Sequence, residues 1–526
     1  MARARFVARA RFVARARFLG RARFLGRARF LGRARFLACT RFLSRTRPAY
    51  DRHVNDLPMP QFPAGFAWGA ATAAYQIEGA VAADGRGDSV WDTFCRRPGA
   101  IRDGHTGDVA ADHYHRWPED VGLMARLGIT AYRFSVAWPR VQPQGHGPAN
   151  DRGLDFYDRL TDALLAAGIT PVPTLFHWDL PQPLEDQGGW LARDTAYRFA
   201  DYAALAARRL ADRIPLWITL NEPFVVTTMG YGLGTHAPGQ ALMLGALPTA
   251  HHQLLGHGLA MASLRSAGAR QVAITNNYAP AWPASDSPAD AAAAGAYDAL
   301  QNRLFTDPVL LGAYPDLSAF GIGNSPGYVR DGDLALISAP LDALGVNYYS
   351  PARLSALPDS ALPDSPPPDS PPPDSPPPDS PPPDSALPFH REPIPGYPVT
   401  AFGWPVVPAG LREMLLLLRE RYGQALPPVY ITENGCSADD VVAADGTVDD
   451  QPRIRYLDGH LRALHEAITA GVDVRGYLTW SLIDNFEWAE GYNQRFGLVH
   501  IDFATQQRTP KASFGWYRDL IAAQRT

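Results

Sequence analysis

Short apolar runs of strand type recur across residues 60–526, each followed by a stretch with helical spacing. Eight such runs can be traced, ending near Glu78, Trp138, Trp178, Glu222, Tyr278, Tyr349, Glu433 and Trp480. Between them, apolar residues fall at helical intervals over Pro118–Leu127, Leu154–Ala167, Thr195–Ala211, Gly256–Ser266, Ala409–Tyr422 and Arg455–Ala470. Strands alternating with helices imply a parallel sheet. Eight such units predict an α/β chain folded as a (β/α)8 TIM barrel, a single catalytic domain with long βα loops. The alternative is an open doubly wound sheet. No Gly-x-Gly-x-x-Gly turn or Walker-type loop follows any strand, so a nucleotide-binding fold lacks its signature.

Two segments stand apart from this pattern. Residues 1–50 repeat every six residues, as Arg-Ala-Arg-Phe-Val-Ala from Arg3 and Arg-Ala-Arg-Phe-Leu-Gly from Arg15. Successive repeats turn ~240° around a helix, so they share no face. A targeting peptide or a basic arm is one reading. However, an arginine breaks each apolar run before it reaches the length of a secretory core. An expanded short DNA repeat fits better, and the N-terminal extension is expected to be disordered. The second segment, residues 355–388, is built from Ala-Leu-Pro-Asp-Ser and Pro-Pro-Pro-Asp-Ser units. It is expected to be an extended, solvated insert that interrupts the 60–526 domain without dividing it.

The formal charge of −4 is uneven, because residues 1–50 hold fifteen arginines and no acid, leaving the remainder at −19. An acidic body excludes nucleic acid and anionic membrane as natural partners, and no apolar stretch reaches membrane-span length. Cys39, Cys95 and Cys436 are odd in number and widely spaced, so no disulfide framework is implied and a cytoplasmic location is expected. No cysteine or histidine cluster has metal-ligand spacing, so neither a metal nor another cofactor is expected. Of the 49 basic residues only Lys511 is lysine, a bias of coding rather than of chemistry.

The polar residues gather at the strand ends, where a barrel of this kind carries its chemistry. They are Gln76 and Glu78; Arg133 and Trp138; His177, Trp178 and Asp179; Asn221 and Glu222; Asn276 and Asn277; Asn347, Tyr348 and Tyr349; Glu433; and Trp480, Asp484, Asn485, Glu487 and Trp488. Glu222 lies between an apolar strand and Pro223, which should hold it in extended backbone at the strand mouth. Glu433 ends a second strand in the same way. Two carboxylates at strand ends are what glycosidic cleavage requires. Amides, carboxylates, one imidazole and several indoles suit a neutral polyol. A phosphate would call for basic side chains instead.

On these residues the chain resembles glycoside hydrolase family 1, the β-glucosidases and their relatives. The resemblance runs from Phe62-Pro63-Ala64-Gly65-Phe66-Ala67-Trp68-Gly69 to the end, excepting the insert. It is carried by Gln76-Ile77-Glu78-Gly79, Tyr132-Arg133-Phe134-Ser135, Phe176-His177-Trp178-Asp179, Thr219-Leu220-Asn221-Glu222-Pro223, Asn347-Tyr348-Tyr349-Ser350, Ile431-Thr432-Glu433-Asn434-Gly435 and Trp480 to Trp488. It implies a retaining β-glucosidase acting on β-glucosides and cello-oligosaccharides, with possible β-galactoside or β-fucoside activity. Glu433 matches the nucleophile and Glu222 the acid/base, which retention would hold about 5–5.5 Å apart. Arg133 and Tyr349 match the partners of the nucleophile, and Asn221 the contact to the 2-hydroxyl. Gln76, His177, Glu487 and Trp488 match the sugar-hydroxyl set, Trp480 the stacking platform and Phe496 an aromatic at the mouth. Glu487 also argues against phosphosugars. The alternatives are a transglycosylase using the same chemistry and a non-catalytic sugar-binding barrel.

Overall fold

The computed structural model describes residues 58–323, 326–357 and 387–525. The arginine-rich extension, Cys39 and nearly all of the proline-rich insert lie outside the described residues. His53–Thr526 form one compact unit.

Its centre is a closed barrel of parallel strands in the order β1-β11-β10-β7-β5-β4-β3-β2. These are β1 (Ala67–Ala71), β2 (Ala131–Ser135), β3 (Thr170–Phe176), β4 (Leu216–Asn221), β5 (Gln271–Asn277), β7 (Ala343–Asn347), β10 (Val429–Asn434) and β11 (Val474–Trp480). The expected (β/α)8 architecture is present, with β1 pairing to β11 to close the ring. Ala131, Val172, Leu216, Ile218, Ala273 and Ala343 form a buried cluster across five of these strands, against which Ala67 and Tyr430 pack. Side chains fill such a barrel, so its interior is core and not a channel.

The outer helices follow the sequence where one face alone is buried. Asp194–Leu210 buries Thr195, Ala196, Phe199, Tyr202, Ala203, Ala206, Ala207 and Leu210, a run with steps of three and four. The helix expected from Gly256 instead begins at Leu247. Fourteen of its twenty residues are buried, so no amphipathic pattern marks its start. The helix expected from Pro118 begins at His113 and carries Pro118 inside it.

The first strand is shorter than expected. It ends at Ala71, and Ala74–Ile77 form a helical turn, so Gln76 and Glu78 follow the strand and do not close it. The alanine-rich Ala73-Ala74 step prefers helix to strand, and Ala74 N donates to Ser135 Oγ at 2.6 Å. The second strand likewise stops at Ser135, with Arg133 inside it and Trp138 opening the next helix.

Among the described residues, five further strands lie outside the barrel. β6 (Ala281–Pro283), β8 (Ala352–Ser355) and β9 (His390–Glu392) form a small sheet, and β12 (Val499–Asp502) pairs with β13 (Gln507–Pro510). Because β8 and β9 are antiparallel with Ser355 opposite His390, the two flanks of the insert are paired at the connecting end of a hairpin.

Candidate active site

Glu222 does not hold the extended backbone that Pro223 predicts. Its φ of 45° and ψ of 61° are left-handed. β4 ends at Asn221 and a helical turn starts at Pro223, so one residue must make the whole reversal. Proline disfavours the right-handed conformation for the residue before it, and with β4 ending at Asn221 and the turn starting at Pro223 the residue between them is left-handed. That costs about 1–2 kcal/mol for a residue with a Cβ, a strain typical of functional sites. Glu222 N still donates to Thr275 O at 2.8 Å, which ties the turn to β5.

Glu433 stands near the end of β10, opposite Asn347 of β7. Arg133 Nη1 donates to its Oε1 at 2.5 Å and Tyr349 Oη to its Oε2 at 2.7 Å. Both ligands favour the carboxylate. The other end of the same guanidinium, Nη2, donates to Asn221 Oδ1 at 2.6 Å, while Nε donates to Thr174 Oγ1 at 3.0 Å. One buried arginine therefore joins β2, β3, β4 and β10.

The surroundings of Glu222 are of the opposite kind. Burial pushes its carboxyl well above the ordinary range, the charge of Glu433 adds to that, and Asn347 and Arg133 offset part of it. Asn347 Nδ2 donates to Glu222 Oε1 at 2.5 Å, and Asn277 Nδ2 lies 3.4 Å from Oε2. The two neighbouring glutamates thus differ in surroundings: one accepts from a guanidinium and a phenol, the other is desolvated beside a charge.

These residues open onto a cavity of about 890 Å³. Its walls include His177, Glu222, Tyr349, Glu433, Trp480, Glu487, Trp488 and Phe496, all singled out in the sequence. Gln76, Asn221 and Arg133 are buried beside them and bond to them. Gln76 Nε2 donates to Asn485 Oδ1 and Phe486 O, each at 2.9 Å, and to Glu487 Oε2 at 3.2 Å. Its Oε1 is buried without a protein partner. Asn221 Nδ2 donates to His177 Nε2 at 3.0 Å, which requires that imidazole to be neutral. Burial, then Arg133, holds His177 well below its ordinary pKa, in agreement. Burial, with Glu433 beside it, pushes Glu487 up to about 8.

The aromatic residues are arranged as a continuous lining. Trp488 lies 4.5 Å from Trp178 and 5.8 Å from His177, and His177 stacks on Trp480 at 5.9 Å. Trp404 and Phe496 pack on Tyr349, and Phe402 stacks on Trp404 at 4.3 Å. Phe402, Trp404 and Phe224 also line the cavity, and no motif pointed to them. The only available signal was the Phe402-x-Trp404 pair in a loop otherwise rich in glycine and proline. Asn347 had no assigned role either, because its contact with Glu222 depends on strand register.

Other strand-end residues are structural. Glu78 accepts Arg140 Nε at 2.9 Å and Tyr157 Oη at 2.6 Å, away from the cavity. Asn276 bonds Phe305 O and Thr306. Among the described residues no group of His, Cys, Asp and Glu could hold a metal ion, and no helix is long and apolar enough to cross a membrane.

The model of glycosyl hydrolase family 1 matches residues 59–526. Thermostable beta-glucosidase B of Thermobispora bispora is 50% identical over 467 residues, covering 88% of this chain and 90% of that one. A bifunctional beta-D-glucosidase/beta-D-fucosidase of Bifidobacterium breve is 45% identical over 474 residues, covering 88% of this chain and 98% of its own. Among solved structures, a psychrophilic beta-glucosidase from Micrococcus antarcticus superposes with a TM-score of 0.82 at 48% identity, covering 89% of this chain and 98% of that one. The Thermotoga maritima beta-glucosidase in complex with glucoimidazole gives 0.80 at 41% identity, covering 88% and 99%.

Proposed function

The chain belongs to glycosyl hydrolase family 1, and from that premise we propose that it removes terminal non-reducing β-D-glucosyl residues from oligosaccharides and from aryl or alkyl glucosides, with retention. The observation that carries this reading is the contrast between its two buried glutamates. Glu433, held in place by Arg133 and Tyr349, attacks the anomeric carbon. Glu222, kept protonated by burial and by the charge of Glu433, gives its proton to the departing oxygen. The C–O bond to the leaving group breaks as the bond to Glu433 forms, giving a glycosyl-enzyme. Glu222, now ionised, takes a proton from water, and the water displaces Glu433. Asn221, His177, Gln76, Glu487 and Trp488 would read the sugar hydroxyls, with Trp480 under the ring and Phe496 at the mouth.

Several features of the site narrow the substrate. Among the described residues, Arg353 and Arg391 are the only guanidinium side chains in the cavity wall, and both lie on the β6-β8-β9 sheet and not beside Glu487, which favours a sugar without phosphate. The relative active on both glucosides and fucosides supports a β-fucosidase side activity. The catalytic domain is assigned to residues 60–526, with the repeat at 355–388 a tolerated expansion of the hairpin between β8 and β9. Cys95 and Cys436 are free and buried, which is consistent with the reducing cytoplasm as its compartment.

Turnover of an aryl β-glucoside, with the configuration of the first-formed glucose followed by NMR, tests the reading. β-Glucose should appear first, and α-glucose or no turnover would overturn it. Glu433→Ala should abolish turnover, and azide should restore it with α-glucosyl azide as product.

A further inference from the structure

A single lysine, Lys511, stands among the 49 basic residues of the chain, which draws attention to its surroundings. Lys511 is fully buried. Its ammonium donates to Asp440 Oδ2 at 2.5 Å and to Asp484 Oδ1 at 2.7 Å. Both acceptors also serve other donors. Asp440 Oδ2 accepts Arg453 Nη2 at 2.9 Å, while Asp484 accepts Arg495 Nη1 at 2.7 Å and Gly497 N at 3.0 Å. Gly497 passes so close that a Cβ there would stand 2.1 Å from Asp484 N. Arg453 also pairs with Asp450, which accepts Ser513 N at 2.7 Å. Lys511, Arg453 and Arg495 thus face Asp440, Asp450 and Asp484, and removing any one unbalances the charge of the cluster. Burial alone would raise the pKa of Asp484, yet Lys511 and Arg495 hold it below the ordinary carboxylate value.

No catalytic step uses this cluster, but both ends of it are attached to the site. Asp484 begins the stretch Asp484-Asn485-Phe486-Glu487-Trp488. Its middle residues accept from Gln76, and its last two line the cavity. Asp440 belongs to the segment that leaves Glu433 at the end of β10. There Gly435 runs so near Trp480 that a Cβ would meet its carbonyl oxygen at 1.7 Å. One compact ammonium can reach both carboxylates. A planar guanidinium would push further nitrogens into space already filled by Arg453 and Gly497.

We propose that Lys511 is a positioning residue for sugar recognition: by bridging Asp440 and Asp484, its ammonium sets the loop bearing Glu487 and Trp488 against the segment leaving Glu433. The proposal rests on the glucosidase reading above. Labelling with an activated 2-deoxy-2-fluoro-β-glucoside counts competent sites, so that rates can be expressed per site. A wild-type protein that is neither labelled nor active would overturn the glucosidase reading itself. If the wild type is active, Lys511→Met should lower kcat/KM per labelled site about a hundredfold, mainly by raising KM. The ratio of β-glucoside to β-fucoside efficiency should shift several-fold, because the hydroxyl-reading loop is displaced. Lys511→Arg should move both quantities in the same direction despite keeping the charge. A loss of folded protein would lower the labelled fraction and leave per-site KM and the glycone ratio alone, and that result would overturn the proposal. Wild-type behaviour of Lys511→Arg would do the same. Should Lys511→Met fold poorly, Asp440→Asn keeps the bond to Asp484 and should still shift the glycone ratio; an unchanged ratio there also overturns it.

Discussion

At the scale of single residues, Glu222 shows how little space separates an acid from a base. Its carboxyl is raised by burial and by Glu433, and the amide of Asn347, 2.5 Å from Oε1, offsets part of the rise. A hydrogen bond to an ionised group is worth about 1.5–3 kcal/mol, or about one to two pKa units when lost. Asn347→Ala should therefore move the alkaline limb of kcat/KM upward by about one unit. It should also slow deglycosylation, which needs Glu222 as a base. A pH–rate profile with a poor leaving group reads the first effect, and the accumulation of glycosyl-enzyme reads the second. Glu222, Glu433, Arg133 and Tyr349 could be found in the sequence because each sits in a short string of distinctive residues. Asn347 stands in such a string as well, but its function lies in which residue faces it across β7 and β4. The left-handed turn at Glu222 could not be read, since local preference argued for extended backbone and two packed elements overruled it.

At the scale of elements, legibility depended on how many faces are buried. The helix Asp194–Leu210 has one buried face and could be located from its spacing, whereas Leu247–Ser266 is buried nearly all round and lost its first nine residues to the reading. The β6-β8-β9 sheet could not be seen at all, because its antiparallel partners are separated in sequence by the proline-rich repeat. One helical contact matters directly to the site. Phe199 packs on Phe176 at 6.3 Å, Trp190 at 5.9 Å and Trp138 at 5.6 Å, and Phe176 precedes His177 at the end of β3. Phe199→Ala should cost about 3–5 kcal/mol, read as a lower urea midpoint. The short strand β1 makes a related point: alanine-rich sequence satisfies strand and helix patterns alike, and only the contact of Ala74 with Ser135 decides where the strand stops.

At the scale of the whole molecule, buried titratable groups set the pH range of stability. Burial holds His257 and His460 down to about 3 and His236 to about 4. The unfolded chain binds those protons first, so stability is lost as pH falls below about 6.5 toward those values. Glu487, pushed up to about 8, and Glu222, raised likewise, act in the opposite sense: the folded state keeps protons that the unfolded chain releases, so stability falls as pH rises from the ordinary glutamate range to about 8. The melting temperature should peak in mildly acidic solution and decline on both sides. Glu487→Gln should flatten the alkaline decline, as scanning calorimetry across pH would show. Whole-chain composition foretold the barrel's acidic body but not this balance, which comes from where the helices and strands bury their histidines. The lone lysine has a consequence of another kind. Reagents that acylate or cross-link primary amines meet no accessible side chain on the folded protein, because the one ε-amino group is sealed between two carboxylates. Amine coupling to a support can then proceed only through an α-amino group, giving a uniformly oriented film, and a lysine adduct records each molecule that has come apart.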